Sequence, residues 1–252
     1  MTNRRSIRSS ASESITQRLG FWRAVDGRIR LLLSRSCVTY TSARLVQKSD
    51  MELRLRFVSR IVHKSSSGSA VVKQTGLMTA EELERLDMPG KVTELVRGRL
   101  IVREPPGTNH GRIAAKLCFI LSSFVLHEKL GAVFAQDTGF KIESNPDTVR
   151  APDVAYLSNA RLGAVSRRGY APVAPDFAAE ILSPDDRASE VLAKVAALLN
   201  AGSKLVWVVD PDREEVRVYR PDGSIRVIPG DGSLDGGDVL PGFTCSVREI
   251  LN

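Results

Sequence analysis

From residue 77 onward, apolar positions recur along the chain with two different periods. Apolar residues every three or four positions predict helices at about 110–129 and 187–201, and the capping-box pair Thr79 and Glu82 predicts a short helix at 79–87. Between the helices, runs of alternating or continuous apolar residues predict strands at 92–96, 100–103, 132–136, 138–143, 149–157, 176–182 and 205–209. The remainder, from Glu215, is β-rich. This order of elements predicts a mixed α/β domain over residues 77–252.

Residues 1–76 differ in composition from the rest of the chain. They carry 15 Lys and Arg residues against 4 Asp and Glu, and they are rich in serine. Apolar residues spaced by three or four predict a basic amphipathic helix between Ile15 and Leu33. We expect this segment to be a poorly ordered basic extension. It fits an organelle transit peptide or a nucleic-acid-binding arm, but we favour a third interpretation, in which the true start lies near Met78.

The formal charge of the whole chain is +7 at pH 7. That excess belongs to the first segment, because residues 77–252 hold 21 basic and 25 acidic residues. The high net charge is therefore weak evidence that the folded part binds nucleic acid, although a local basic groove would not appear in such totals.

Cysteine spacing and hydropathy argue against a zinc protein, a disulfide-stabilised protein and a membrane-spanning protein. Cys37, Cys118 and Cys245 are far apart and form no C-x-x-C pair, which argues against a zinc site or a disulfide framework. A reducing compartment, the cytoplasm, is the simplest interpretation. No apolar run approaches the roughly 18 residues that span a bilayer, so we expect no membrane association.

Two carboxylates in apolar, β-prone surroundings are the strongest chemical signal. Asp153 lies in the strand predicted at 149–157, and Glu180 lies in the strand predicted at 176–182. A buried charge is costly unless it is paired or binds a metal. If the two strands are neighbours, these acids supply the carboxylates that Mg²⁺ requires. Each acid alone also fits a structural role, since Asp153 could close a turn after Pro152 and Glu180 could face outward.

Lys194 lies at the border of the apolar stripe of the helix predicted at 187–201. A lysine there can extend its ammonium group to solvent, or it can direct that group towards a site over the sheet and stabilise phosphorane charge. Asp176, in a second Pro-Asp pair, is a weaker candidate because it lies only four residues before Glu180. Together, Asp153, Glu180 and Lys194 favour metal-dependent hydrolysis of a phosphodiester.

These residues fall within a longer series of motifs. Pro152-Asp153, followed by Glu180, resembles the core signature of the PD-(D/E)XK nuclease superfamily. The strict signature has lysine two positions after the glutamate, where this chain has Leu182. The longer series resembles the Uma-two family of restriction endonucleases, and it comprises Thr93–Leu100, His110, Val149–Val154, Ala179–Asp186, Lys194, Val206–Pro211 and Leu240–Phe243.

The resemblance covers residues 77–252 and implies the restriction-endonuclease-like fold, a mixed central sheet flanked by helices. It also implies that Asp153 and Glu180 hold Mg²⁺ or Mn²⁺ together with the backbone carbonyl of Ile181. The lysine of the family has moved to the helix after the glutamate strand, where Lys194 completes the site.

Two further residues match positions of the family, and we rank both below Asp153, Glu180 and Lys194 as site residues. Glu94 matches an acidic helper near the first hairpin, and His110 matches a family histidine. A histidine that opens a helix is more often a local cap or a surface residue than a general base. The implied activity is Mg²⁺-dependent DNA endonuclease activity, and a homodimer is a family-level expectation.

A non-catalytic module remains the alternative. A nuclease-like scaffold could bind protein or nucleic acid in the regulation of mobile elements or in defence. The acidic balance of residues 77–252 and Leu182 at the strict lysine position both favour this alternative.

Overall fold

The computed structural model describes residues 76–252 in full, together with the backbone of five strands in residues 1–75. These strands are β1 (Arg23–Val25), β2 (Arg28–Arg30), β3 (Val38–Lys48), β4 (Glu52–Val62) and β5 (Ser69–Val71). Strands β1 and β2 pair antiparallel, as do β3 and β4. Strands β1 to β4 belong to one compact unit of the chain, whereas β5 belongs to the other, with residues 75–252.

The helix predicted between Ile15 and Leu33 is wrong where the structure describes it, because β1 and β2 occupy that stretch. Val25 lies opposite Arg28, and the intervening Asp26-Gly27 is the sequence typical of a two-residue hairpin turn. Most of the predicted poorly ordered extension lies outside the described residues, so that expectation stays a prediction.

The second unit alternates helices and strands as the apolar pattern predicts. Its elements are α1 (Ala80–Glu84), β6 (Val92–Val96), β7 (Arg99–Arg103), α2 (Thr108–Glu128), β8 (Gly131–Ala135), β9 (Phe140–Glu143), β10 (Thr148–Arg150), β11 (Val154–Ser158), α3 (Asn159–Leu162), β12 (Phe177–Ile181), α4 (Ala188–Asn200), β13 (Leu205–Asp210), β14 (Glu215–Tyr219), β15 (Ile225–Pro229), β16 (Ser233–Asp235), β17 (Thr244–Ser246) and α5 (Val247–Leu251). Thr79 caps α1 through the predicted capping box with Glu82.

Two larger sheets organise this unit. A six-stranded sheet has the order β15-β14-β13-β12-β11-β8, and a five-stranded sheet has the order β5-β7-β6-β10-β9. In the first sheet β12 and β13 are parallel, since α4 connects them as a crossover, and the other pairs are antiparallel. The predicted mixed sheet flanked by helices is therefore confirmed. Strand β5 forms one edge of the five-stranded sheet. It lies within residues 1–76, which the sequence assigned to the extension.

The single strand predicted at 149–157 is in fact two strands in different sheets. Strand β10 ends at Arg150 and belongs to the five-stranded sheet, whereas β11 begins at Val154 in the six-stranded sheet. Pro152 lacks the N–H that a continuous ladder would need, so the chain passes between sheets at this point. Asp153 consequently stands at the head of β11.

The six-stranded sheet is covered by a helix on each face. Helix α2 packs on one face through a cluster that includes Ile113, Leu117, Leu121, Tyr156, Phe177, Ala179 and Trp207. Helix α4 packs on the other face against Ala178, Val206 and Val208. Because side chains alternate along a strand, Glu180 shares the face of Ala178 and therefore faces α4.

Cys118 and Cys245 are both free. Of the helices that the structure describes, not one has both the length and the apolar character needed to cross a bilayer.

Candidate active site

Two neighbouring strands bring the predicted carboxylates together. Strands β11 and β12 are antiparallel, with Val154 opposite Ala179. Asp153 directly precedes β11, and Glu180 directly follows Ala179 in β12, so both acids lie at the same end of the strand pair. The condition set by the sequence, that the two strands be neighbours, is met.

Asp153 is held by three hydrogen-bond donors. Its Oδ2 accepts the Ile181 backbone N–H at 2.8 Å and lies 3.1 Å from His110 Nε2, while its Oδ1 accepts from Gln136 Nε2 at 3.2 Å. Burial opposes ionisation of this carboxyl, but the His110 bond and the charge of Lys194 outweigh it and hold the pKa of Asp153 below its ordinary value. Asp153 is therefore a carboxylate at neutral pH.

Lys194 points into the site from α4. Its Nζ lies 2.7 Å from Glu180 Oε2 and 3.1 Å from Glu94 Oε1, and it donates to the Ala151 carbonyl at 2.9 Å. Burial alone would lower the pKa of Lys194, but the charges of Glu180 and Glu94 raise it, so the ammonium form persists. Of the two orientations that the sequence left open, the side chain takes the one directed into the protein.

Glu94 supports Lys194 from the second sheet. It lies on β6, and its Oε2 accepts from Arg150 Nη1 at 3.0 Å while its Oε1 accepts the Ala151 N–H at 2.8 Å. Burial opposes its ionisation, yet the charges of Lys194 and Arg150 prevail and lower the pKa of Glu94 to about 2. Glu94 is thus a permanently ionised anchor that joins the two sheets.

Glu180 is less well compensated than Glu94. Burial, followed by the charges of Asp153 and Glu94, outweighs the attraction of Lys194 and raises the pKa of Glu180 to about 8. Its Oε1 is buried and has no hydrogen-bond partner among the described residues. A buried oxygen without a partner is costly, so this end of the strand pair favours an additional positive group.

His110 lies in the site rather than at a helix cap or on the surface. It occupies the first turn of α2, whose N-cap is Gly107, and it is buried. One ring nitrogen faces Asp153, and the other, Nδ1, lies 3.1 Å from Gln136 Nε2. Burial would lower the pKa of His110, but Asp153 outweighs burial and raises it.

The donor set fits a hard divalent cation. Asp153 and Glu180 offer carboxylate oxygens, one of them the unpaired Glu180 Oε1. The Ile181 N–H donates to Asp153. The N–H and C=O of one strand residue point to the same side of the strand, so the Ile181 carbonyl also points to the side on which Asp153 lies. The described part of the chain contains no cluster of three or more His, Cys, Asp or Glu side chains able to enclose a metal. A cation here would depend on two carboxylates, a carbonyl and water, a set that Mg²⁺ accepts.

The site opens into a cleft of about 540 Å³. Asp137, Asp185, Asp186 and Glu190 line its walls, and so do the cations Lys91 and Arg103. Arg103 is itself 3.6 Å from Asp186, so part of its charge is neutralised. Acidic groups therefore outnumber basic groups among the residues that line the cleft.

Two residues of the site were missed by sequence reasoning. Arg150 pairs with Glu94, and Gln136 contacts both Asp153 and His110. Arg150 lies within the quoted Val149–Val154 motif, but an arginine inside an apolar run does not disclose its partner. Gln136 belongs to no sequence motif. Only the pairing of β8 with β11 shows that it lies beside Asp153.

Comparison with known proteins agrees with this architecture. A family model named Uma2 and described as "Putative restriction endonuclease" matches residues 80–248. A crystal structure described as "a putative nuclease belonging to DUF820 from Anabaena variabilis ATCC 29413" aligns with a TM-score of 0.60 and 23% identity, over 69% of this chain and 97% of that chain. At that identity the likeness shows the fold alone. No curated protein matches the sequence.

Proposed function

The chain belongs to the Uma2 (Uma-two) family, and from this premise we propose that it is an endonuclease that hydrolyses DNA phosphodiester bonds with Mg²⁺ or Mn²⁺. One observation carries the proposal. Asp153, Glu180 and Lys194 line one open cleft, where Glu180 Oε1 is buried and has no hydrogen-bond partner among the described residues. A lysine in contact with Glu180, beside Asp153 on the neighbouring strand, supports phosphodiester chemistry over a purely structural ion pair.

Asp153, Glu180 and the Ile181 carbonyl are the groups that would hold the cation. When bound, such an ion polarises the scissile phosphate and lowers the pKa of a bound water. Asp153 is ionised and ready to bind. Burial raises the pKa of Glu180 to about 8, so a proton would compete with the cation for this carboxyl and would pass to solvent as the cation binds.

Lys194 would supply a fixed positive charge to the reacting phosphate. The Glu94 carboxylate and the Ala151 carbonyl hold the ammonium group, and Arg150 holds Glu94 in turn. Lys194 would therefore stay bound to the Glu94 carboxylate and the Ala151 carbonyl if Glu180 bound a metal cation instead. A preorganised charge of this kind stabilises the transition state more than the ground state.

A cleavage assay on the full-length protein tests the proposal. Supercoiled, linear duplex and branched DNA are each incubated with Mg²⁺ and with Mn²⁺, and products are resolved on gels. We expect at least one substrate to be cut, no detectable cutting by Asp153→Asn, and parental cutting by Asp176→Asn, which alters the acid at the other end of the strands. Failure to cut any substrate, or an active Asp153→Asn protein, would contradict the proposal.

A homodimer forms part of this proposal. Cutting both strands of a duplex requires two sites with opposite polarity, which a two-fold dimer provides. Light scattering coupled to size-exclusion chromatography, with and without DNA, measures the assembly directly.

The acidic lining of the cleft favours the second candidate, a non-catalytic binding module. Asp185, Asp186 and Glu190 would repel a DNA backbone unless cations intervened. Calorimetric titration with Mn²⁺ separates the two candidates. Binding that is abolished by Glu180→Ala supports the nuclease, whereas the absence of binding supports the module.

A further inference from the structure

Gln136 contacts two residues of the site and has no role in the chemistry above. It directly follows β8, the strand that pairs with β11 on the side away from β12. Ala135 lies opposite Val154, so Gln136 and Asp153 extend side by side beyond the paired residues. The backbone is turned sharply just after it, because Asp137 has a φ of 66°.

The contacts of Gln136 fix the direction of every hydrogen bond among three side chains. Its Nε2 lies 3.2 Å from Asp153 Oδ1 and 3.1 Å from His110 Nδ1, and an amide nitrogen can donate to both. Turning the amide over would place its carbonyl oxygen against the Asp153 carboxylate, which is repulsive. In the neutral ring, His110 Nδ1 is therefore the acceptor, and the proton lies on Nε2, which donates to Asp153 Oδ2.

Within residues 76–252, the hydrogen bonds of Asp153 engage three of the lone-pair positions of its carboxylate. A carboxylate offers about four lone-pair positions. Oδ2 accepts from His110 and from the Ile181 N–H, whereas within residues 76–252 Oδ1 accepts from Gln136 alone. The remaining position belongs to Oδ1, and Asp153 lines the cleft together with Gln136 and Glu180.

We propose that Gln136 is a positioning residue, which orients Asp153 so that one lone pair of Oδ1 is free for a divalent cation and which holds His110 in its Nε2–H form. The inference rests on the proposed function for the identity of the ligand. It assigns the role to the amide group itself, so an apolar side chain of the same length should not perform it. Partners that orient a metal-binding carboxylate in this way are typically worth about 10–100-fold in metal affinity.

The test compares Gln136→Met with the parent, both as full-length chains. Methionine keeps the length of the side chain and removes both donors. At a pH high enough to make the His110 ring neutral, nitrogen-detected NMR of the histidine rings, with His110 assigned from His110→Asn, should show the parent as the Nε2–H form and Gln136→Met as a mixture of both neutral forms. Calorimetry should show a Kd for Mn²⁺ raised about tenfold by Gln136→Met.

Two further variants separate orientation from general stability. Asn159→Leu removes an amide that donates to the Lys129 carbonyl at the other end of β11, and it should change neither the ring signal nor the Kd. Gln136→Glu replaces the donors with acceptors of the same shape, so it should bring a proton to His110 Nδ1 whether or not Gln136→Met folds fully.

The proposal is overturned if Gln136→Met keeps both the Nε2–H signal and an Mn²⁺ affinity within about twofold of the parent, if Gln136→Glu leaves Nδ1 unprotonated, or if the parent binds no Mn²⁺. A parent that binds Mn²⁺ but cuts no DNA would end the nuclease assignment, while the affinity loss in Gln136→Met would still support the role of Gln136.

Discussion

The paired strands β11 and β12 carry buried acids at both ends, and the two ends differ in charge balance. At one end Asp176, which precedes β12, accepts the Ser158 N–H at 2.9 Å. It also lies 3.1 Å from Lys204 Nζ and 3.6 Å from Arg161 Nε. Here the described residues place two cations around a single acid. At the other end they place Lys194, Arg150 and the His110 ring, which is charged only when protonated, among three acids, Glu94, Asp153 and Glu180.

The pKa values follow this balance. Burial opposes the ionisation of Asp176, but the Ser158 hydrogen bonds and Lys204 outweigh it and lower its pKa. Glu180, at the end with too few cations, has its pKa raised to about 8, chiefly by burial. Both ends contain a Pro-Asp pair, so the dipeptide does not distinguish them. The two ends differ in whether the protein itself supplies enough positive charge to compensate the acids. The end with Asp153 and Glu180 lacks that charge, and it is therefore the end suited to bind a cation.

The largest expected effect comes from removing the shared cation of the acidic end. Lys194→Met would leave Glu94 and Glu180 buried without their common partner, and breaking a buried pair costs about 3–5 kcal/mol. The matched change at the other end is Lys204→Met, whose side chain is 59% exposed and should therefore cost under about 1 kcal/mol. Urea unfolding measures both free energies. Similar losses for the two variants would contradict the distinction between the ends.

The second prediction separates stability from function. Asp176→Asn should lower the free energy of unfolding by about 2 kcal/mol, because a buried charge with two cations is lost, although both cations remain partly hydrated. It should leave Mn²⁺ affinity and DNA cleavage at the parental level. Loss of Mn²⁺ binding in this variant would place Asp176 in the functional site.

Sequence patterns predicted the acidic end in part. Asp153 and Glu180 were found because each interrupts an apolar strand, and their proximity required only that the strands pair. Lys194 lay at the edge of a helical stripe, so periodicity could not tell whether it pointed inward. Glu94 came from the family resemblance alone, since its partner Arg150 lies 56 residues away.

Other features of the site depend on contacts between distant segments. The otherwise apolar run at 149–157 does not reveal that its halves join different sheets, nor that the break places Asp153 at a strand end. Gln136 acquires its position only from the register of β8 with β11. Such pairings are decided by packing of the whole sheet rather than by local propensity.

The third prediction concerns pH. Below about pH 8, a cation must displace the proton of Glu180, so Mn²⁺ affinity should rise by up to about tenfold per pH unit and level off above that value. The pKa of Glu180 in the folded state is above its ordinary 4.5, so the folded state binds more protons between pH 4.5 and about 8. This group therefore lowers stability as pH rises through that window. Glu180→Gln should abolish the pH dependence of stability in this window, and a slope of stability that persists in this variant would assign it to another group.

The smallest expected effect concerns the strict lysine position. Leu182 lies two residues after Glu180, and its side chain packs against the cluster under α4, on the same face. In the Lys194→Met background, Leu182→Lys should restore about 1 kcal/mol of stability, the order of a partly exposed ion pair, and some cleavage. The matched control, Leu182→Met in that background, should restore neither.

Calorimetric titration of Mn²⁺ into Asp153→Asn and Asp176→Asn tests the contrast between the two ends most directly. We predict that Asp176→Asn binds with parental affinity, within about threefold, and that Asp153→Asn loses at least about tenfold, because only Asp153 lies where a cation completes the charge. Equal affinity in the two variants, or a parental protein that binds no Mn²⁺, would contradict the account.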